Sequence, residues 1–158
     1  MENQTQVQQQ FICRKLELED YQKGFLLCLS YLTKTPDLPF EKFKEIYNNY
    51  PGCVYVVEDV QAKLIASTIS LVIEQNIFET KYYIENVVTH PDYRGKGFVR
   101  ELMEKIKSDV KDLVKKENGE NGNENNQISL ELYCKQETKG LYEKLGFQED
   151  GFIASKYV

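Results

Sequence analysis

The stretch "ENVVTHPDYRGKGFVRELMEKIK", residues 85–107, decides the fold. Val87, Val88 and Thr89 are β-branched and favour a strand, Pro91 closes it, and Gly95 and Gly97 follow among basic side chains. From Phe98 the apolar positions 98, 99, 102, 103, 106, 110, 113 and 114 recur at helical spacing. Strand, glycine turn and helix in that order make an α/β unit. The start of such a helix presents unpaired N–H groups and the positive end of its macrodipole, which suits an anion and above all a phosphate. Glycine lets the backbone approach that ligand without a Cβ in the way. Two familiar phosphate loops do not fit: GxxxxGK[ST] is absent, and Arg100 stands at the third glycine of GxGxxG.

Upstream, "FICRKLEL" (11–18) reads as a first strand, and "EDYQKGFLLCLSYLT" (19–33) as a helix with Tyr21, Phe25, Cys28 and Leu32 turned inward. A second helix in "TPDLPFEKFKEIYNNYPG" (35–52) places Phe40, Phe43, Ile46, Tyr47 and Tyr50 at helical spacing and ends at Pro51 and Gly52. "CVYVVEDVQAKLIASTISLVIEQ" (53–75) predicts two antiparallel strands about the turn "EDVQAK", the second with Ile65, Ser67, Ile69, Leu71 and Ile73 on one face. "KYYIENVVTH" (81–90) adds another strand. Downstream, "ENGENGNENNQ" (117–127) is a low-complexity loop insertion, "ISLELYC" (128–134) a strand, "ETKGLYEKLGF" (137–147) a short helix and "DGFIASKYV" (150–158) a terminal strand.

A chain of 158 residues suits one domain, which buries roughly 70% of its unfolded surface. The net charge of −5 argues against nucleic acid or an acidic membrane as the main partner. No apolar run approaches the ~20 residues that span a bilayer, and "MENQTQVQQQ" (1–10) reads as a flexible polar tail. Four scattered cysteines and a single histidine give no zinc spacing, so no metal is expected. The cysteines read as reduced and mostly buried, Cys134 included, in a cytoplasmic protein.

Arg94, Gly97 and Val99 resemble the [RQ]xxGx[GA] acyl-CoA turn of the GNAT N-acetyltransferase superfamily, with Val99 in place of the usual small residue. "GLYEKLGF" (140–147) looks like that superfamily's closing signature. "DYQKGFLLCLSYLT", "YVVEDVQAKLIASTISLVIE" and "YIENVV" are similar in order and spacing to its branch whose acceptor is glucosamine 6-phosphate. The resemblance runs from about residue 11 to the C-terminus.

It implies one GNAT domain over 11–158, with a central, mostly antiparallel sheet and flanking helices. It implies acetyl-CoA as co-substrate and direct attack by the amine of glucosamine 6-phosphate, giving N-acetylglucosamine 6-phosphate for UDP-N-acetylglucosamine biosynthesis. Glu85 would then bind and deprotonate the amine, and Tyr142 would protonate the departing thiolate. For Glu85 a solvated strand carboxylate is the alternative, and for Tyr142 a core aromatic.

The same resemblance implies backbone contacts from Val87, Val88 and Thr89 to the pantetheine arm, in a gap between their strand and "ISLELYC". It gives the pyrophosphate to Arg94, Gly95, Lys96, Gly97, Phe98, Val99 and Arg100, with Thr138, Tyr142 and Lys144 also at the cofactor. Thr33, Glu85, Asn86, Tyr133 and Tyr157 would meet the amino sugar phosphate, and a homodimer would form through the C-terminal strand. Asn86, Asn76, Glu79 and Tyr157 depart from the branch's usual residues. Another small amine or a peptide as acceptor, or acetyl-CoA binding without turnover, therefore stays open. On an ideal strand Glu85 and Asn86 point to opposite faces, so a shared substrate requires the strand to be bulged or end-on to the pocket.

Overall fold

The computed structural model describes residues 10–118 and 128–151. Residues 1–9 of the expected polar tail, most of the 117–127 insertion and residues 152–158 of the expected terminal strand, Tyr157 among them, lie outside the described residues.

Strand β1 (Phe11–Lys15) pairs antiparallel with β2 (Gly52–Asp59), β2 with β3 (Leu64–Gln75), and β3 with β4 (Thr80–Thr89). The short β5 (Leu130–Leu132) adds on parallel, giving a sheet in the order β1-β2-β3-β4-β5. This is the mixed, mostly antiparallel α/β sheet that the sequence implies. Helices α1 (Phe25–Ser30) and α2 (Phe40–Asn48) cover one face, and α3 (Phe98–Asn118) covers the other.

The pleat explains the two layers. Tyr55, Val57, Ile69 and Leu71 pack with Leu102, Met103, Ile106 and Val110 of α3, while Val56, Ile65 and Val88 pack with Phe25, Cys28 and Phe43. Each such side chain contributes about 1.5–3 kcal/mol on burial. Both faces are covered, so β2 and β3 are apolar on both sides rather than alternating.

Two expectations fail locally. Ile65 does not share a face with Ile69 and Leu71, because the β2–β3 register shifts between Val57 and Glu58 and leaves Ala66 as the extra residue. One inserted residue turns the side chains beyond it to the other face. The helix expected over 19–33 is a 3₁₀ turn (Leu18–Tyr21) and then α1, broken at Gly24 with φ 76°. A Cβ at Gly24 would sit 2.9 Å from Leu64 Cδ1, and Leu32, expected inside, is exposed.

A charge cluster fastens this broken segment. Arg14 donates to both oxygens of the fully buried Asp20 at 2.7 Å and also to Glu58, and Lys23 reaches Glu58 at 2.9 Å. Burial opposes ionisation of Asp20, yet the bonds from Arg14 and from the Glu17 N–H overcome it and hold the carboxyl below its ordinary range. Burial pushes the Cys28 and Cys13 thiols up to about 11, so both are unreactive at neutral pH. Cys134 is exposed, against the expectation of burial, because β5 ends two residues before it at the open side of the sheet. No helix among the described residues is long and apolar enough to cross a membrane.

Candidate active site

Strand β4 carries the bulge. Ser70 stands opposite Glu85 and Thr68 opposite Val88, so Asn86 and Val87 together face the single Ile69. Asn86 takes φ 51°, the left-handed region that asparagine tolerates better than most residues. Of the two arrangements open from the sequence, the strand takes the bulged one, and Glu85 and Asn86 are consecutive and both exposed. The Asn86 amide donates to Ser70 Oγ at 3.3 Å, which helps to fix the kink.

Immediately past the bulge the sheet opens. The parallel ladder pairs Tyr82, Tyr83 and Ile84 with Leu130, Glu131 and Leu132 and then stops, so among the described residues no strand covers that edge of Glu85–Thr89. Inside this segment Val87 is half-buried and Val88 buried, with the Val88 carbonyl accepting from Ser67 Oγ at 3.0 Å. Thr89 Oγ1 lies 2.8 Å from the same hydroxyl. A strand with one bare edge is a template for an extended, amide-bearing ligand.

The segment runs into the glycine turn. His90 donates its N–H to the Ala66 carbonyl, a 3₁₀ turn spans Pro91–Tyr93, and Gly95 and Gly97 take φ 79° and 83° before α3 begins at Phe98. A Cβ at either glycine would meet nothing within 4 Å, so the dihedral, not crowding by the chain, requires glycine. Among the described residues no backbone carbonyl accepts from the N–H groups of Gly95 to Val99. Arg94, Lys96 and Arg100 are exposed beside them. Donors, dipole and cations thus converge where a pyrophosphate could sit.

The side chains of that turn divide the work. Phe98 is buried against Phe11 with ring centroids 4.9 Å apart, and Val99 packs partly into the core, so each has only its backbone to offer a ligand. Arg94 Nε donates to the Thr89 carbonyl at 3.4 Å, and Lys96 Nζ lies 5.7 Å from the Phe11 ring centre.

Helix α4 (Lys139–Lys144) follows β5 on the other arm of the gap. Its Tyr142 is half-buried against Phe147, and burial, then the nearby Cys134, raises its pKa. The hydroxyl therefore keeps its proton through the neutral range and can donate to a thiolate. Lys144 is exposed in the last turn of α4, and Thr138 gives its hydroxyl proton to the Lys135 carbonyl at 3.0 Å. Tyr133, just past β5, is 68% exposed and stacks on Tyr83. Thr33 is exposed just beyond α1, its N–H given to the Leu29 carbonyl.

Other positions turn out to be structural. Asn76 closes the β3–β4 hairpin, its Oδ1 accepting from the N–H groups of Phe78 and Glu79 at 2.8 and 3.0 Å. Lys81 bridges Glu79 and Glu131 at 3.6 and 3.9 Å. His90 is buried between Tyr31 and Tyr93, as its place in a turn suggests. Sequence reasoning missed Asp59. Its carboxylate accepts from the Ala62 and Gln61 N–H groups and from the Tyr93 hydroxyl at 3.1 Å, pinning the approach to the glycine turn onto the β2–β3 turn. Those bonds, the Ala62 one foremost, lower its pKa.

Comparison with known proteins places the chain among acetyltransferases. Residues 50–149 match the model of the acetyltransferase (GNAT) domain. The chain is 28% identical over 155 residues to the glucosamine 6-phosphate N-acetyltransferase of Arabidopsis thaliana, covering 93% of this chain and 96% of the relative. It is 27% identical over 150 residues to the Candida albicans protein of that name, covering 90% and 93%. The crystal structure of the Arabidopsis enzyme superposes with a TM-score of 0.77 at 29% identity over 94% of this chain and 99% of that one. The bulged strand, the bare edge, the glycine turn and Tyr142 all fall within the matched span, and the chain belongs to the GNAT acetyltransferase family.

Proposed function

We propose that the protein transfers the acetyl group of acetyl-CoA to the amine of glucosamine 6-phosphate by direct attack within a ternary complex. The observation that carries the reading is the β4 bulge. It exposes Glu85 and Asn86 at the mouth of a gap whose far end is the glycine turn. The names of the Arabidopsis and Candida relatives support the choice of acceptor.

In this reading the pyrophosphate rests on the N–H groups of Gly95 to Val99 with Arg94, Lys96 and Arg100 around it. The pantetheine amides pair with the bare edge of Val87–Thr89. Glu85 takes the proton of the ammonium, directly or through water. The amine nitrogen attacks the thioester carbon, the C–S bond breaks, and Tyr142 donates to the sulfur. No protein nucleophile takes part, and alignment of the two substrates supplies much of the rate, since effective molarities reach about 10⁵–10⁸ M. Asn86, Thr33 and the Tyr133 backbone would hold the sugar. Lys144 and Thr138 would flank the cofactor.

The same reading takes residues 11–158 as one acetyltransferase domain working in the cytoplasm as a homodimer, with Tyr157 on the shared C-terminal strand. Thiol release from acetyl-CoA tests the acceptor. Glucosamine 6-phosphate should release thiol far faster than glucosamine or a lysine peptide. Release with the peptide alone overturns the acceptor, and cofactor binding without any release overturns the enzyme.

A further inference from the structure

The sheet face that carries Glu85 also carries two tyrosine rings. Along β4, Tyr82 and Ile84 pack into the α3 layer, so Lys81, Tyr83 and Glu85 stand on the opposite face. The parallel ladder sets Tyr83 beside Glu131, and Tyr133 follows on the same face two residues later. Continued past its last pair, that register would bring Tyr133 opposite Glu85. The ladder stops instead, and the Tyr133 ring lies against Tyr83, with ring centroids 6.4 Å apart and planes 23° from parallel. Neither ring belongs to the core on either side of the sheet. Flat, exposed rings offer their faces to a ligand, and each face attracts the ammonium form in which an amine arrives.

Charge decides which part of an acceptor can lie there. Glu131 and Glu74 are the carboxylates in electrostatic reach of the Tyr83 hydroxyl, and Lys81, the cation in reach, is bridged to Glu79 and Glu131. Like charges placed together repel, so a phosphate is disfavoured beside the pair. A neutral ring bearing hydroxyls finds a flat face to lie on and carboxylates to accept its protons.

We propose that Tyr83 and Tyr133 select the acceptor: the ring of a cyclic amine lies on this pair while its nitrogen meets Glu85 and its phosphate points away from the pair. This role of the two side chains goes beyond the backbone contact given to Tyr133, and it rests on the reading of Glu85 as the residue that meets the amine.

Steady-state kinetics of the full chain with acetyl-CoA and glucosamine 6-phosphate test it, for the wild type, Tyr133→Ala and Tyr133→Phe, with sedimentation velocity of each. Tyr133→Ala should raise the KM for glucosamine 6-phosphate about three- to tenfold, the size of one aromatic contact, and leave kcat and the KM for acetyl-CoA nearly unchanged. Tyr133→Phe should keep the wild-type KM, since the acceptor meets the ring and not the hydroxyl. The side chain is exposed, so neither substitution threatens the fold. An unchanged KM in Tyr133→Ala, a phenylalanine variant as poor as the alanine one, or an equal rise in the KM for acetyl-CoA overturns the proposal. Altered sedimentation with an unchanged KM also overturns it and gives the pair to a subunit interface. A wild type that releases no thiol with glucosamine 6-phosphate sinks the acceptor reading and the proposal together, whereas an active wild type with an indifferent alanine variant sinks the proposal alone.

Discussion

Asn86 and Glu85 show how much a single dihedral decides. Asn86 holds φ 51°, which costs an ordinary side chain about 1–2 kcal/mol, and its amide is bonded to Ser70. Asn86→Gly should keep the bulge and lose only the side chain, whereas Asn86→Ala should strain the backbone and lower stability by about 1–2 kcal/mol in denaturant melts. If kcat survives in the glycine variant and falls in the alanine one, the kink and not the amide serves the reaction. Glu85→Gln should lower kcat by about 10²-fold or more with little change in acetyl-CoA affinity, as expected for loss of a general base. Tyr142→Phe should lower kcat similarly, because the raised pKa keeps its proton available as a donor at neutral pH. An unchanged kcat in either variant removes that residue from its role.

The glycine turn and α3 are legible in the sequence because their signals are local. Two glycines before a helical apolar rhythm need no distant contact to be read, and both adopt the positive φ that the pattern requires. Gly97→Ala should cost about 1–2 kcal/mol from its φ of 83° and raise the KM for acetyl-CoA, with the KM for the acceptor nearly unchanged. The segment over 19–33 misleads for the opposite reason. Its apolar spacing suits one helix, but Gly24 breaks it against Leu64, a residue 40 positions away by numbering. The same holds for the flipped face of Ile65, which depends on a register shift with β2. The turn bonds of Asp59 to Gln61 and Ala62 are local, but its link to the glycine turn carries no sign in sequence, since Tyr93 and Gln10 meet it only once the sheet is formed.

Across the molecule, the first strand, the 3₁₀ turn and β2 are bound by Arg14, Asp20, Lys23 and Glu58. Asp20 and Glu58 both titrate below their ordinary values of 3.8 and 4.5 in the folded chain. A carboxylate lowered on folding contributes stability that is complete above its unfolded pKa and is lost as pH falls through the folded one. Denaturant midpoints should therefore hold through neutral pH and fall as pH drops below about 4. Asp20→Asn should cost roughly 3–5 kcal/mol at pH 7, since it leaves Arg14 partly unpaired in a buried place, and should flatten the acid side of the profile. A midpoint unmoved by that substitution would show the cluster to be idle.

Among the described residues, the three-residue parallel ladder between β4 and β5 leaves the sheet one strand short over Glu85–Thr89. A co-substrate lying there would act as the missing strand, so the folding equilibrium and the binding equilibrium would share the same hydrogen bonds. Thermal denaturation should then rise with the logarithm of CoA concentration, and slowed amide exchange should spread from β4 to the β5–α4 arm. The enzyme's heat resistance would in that case follow the supply of its own acyl donor.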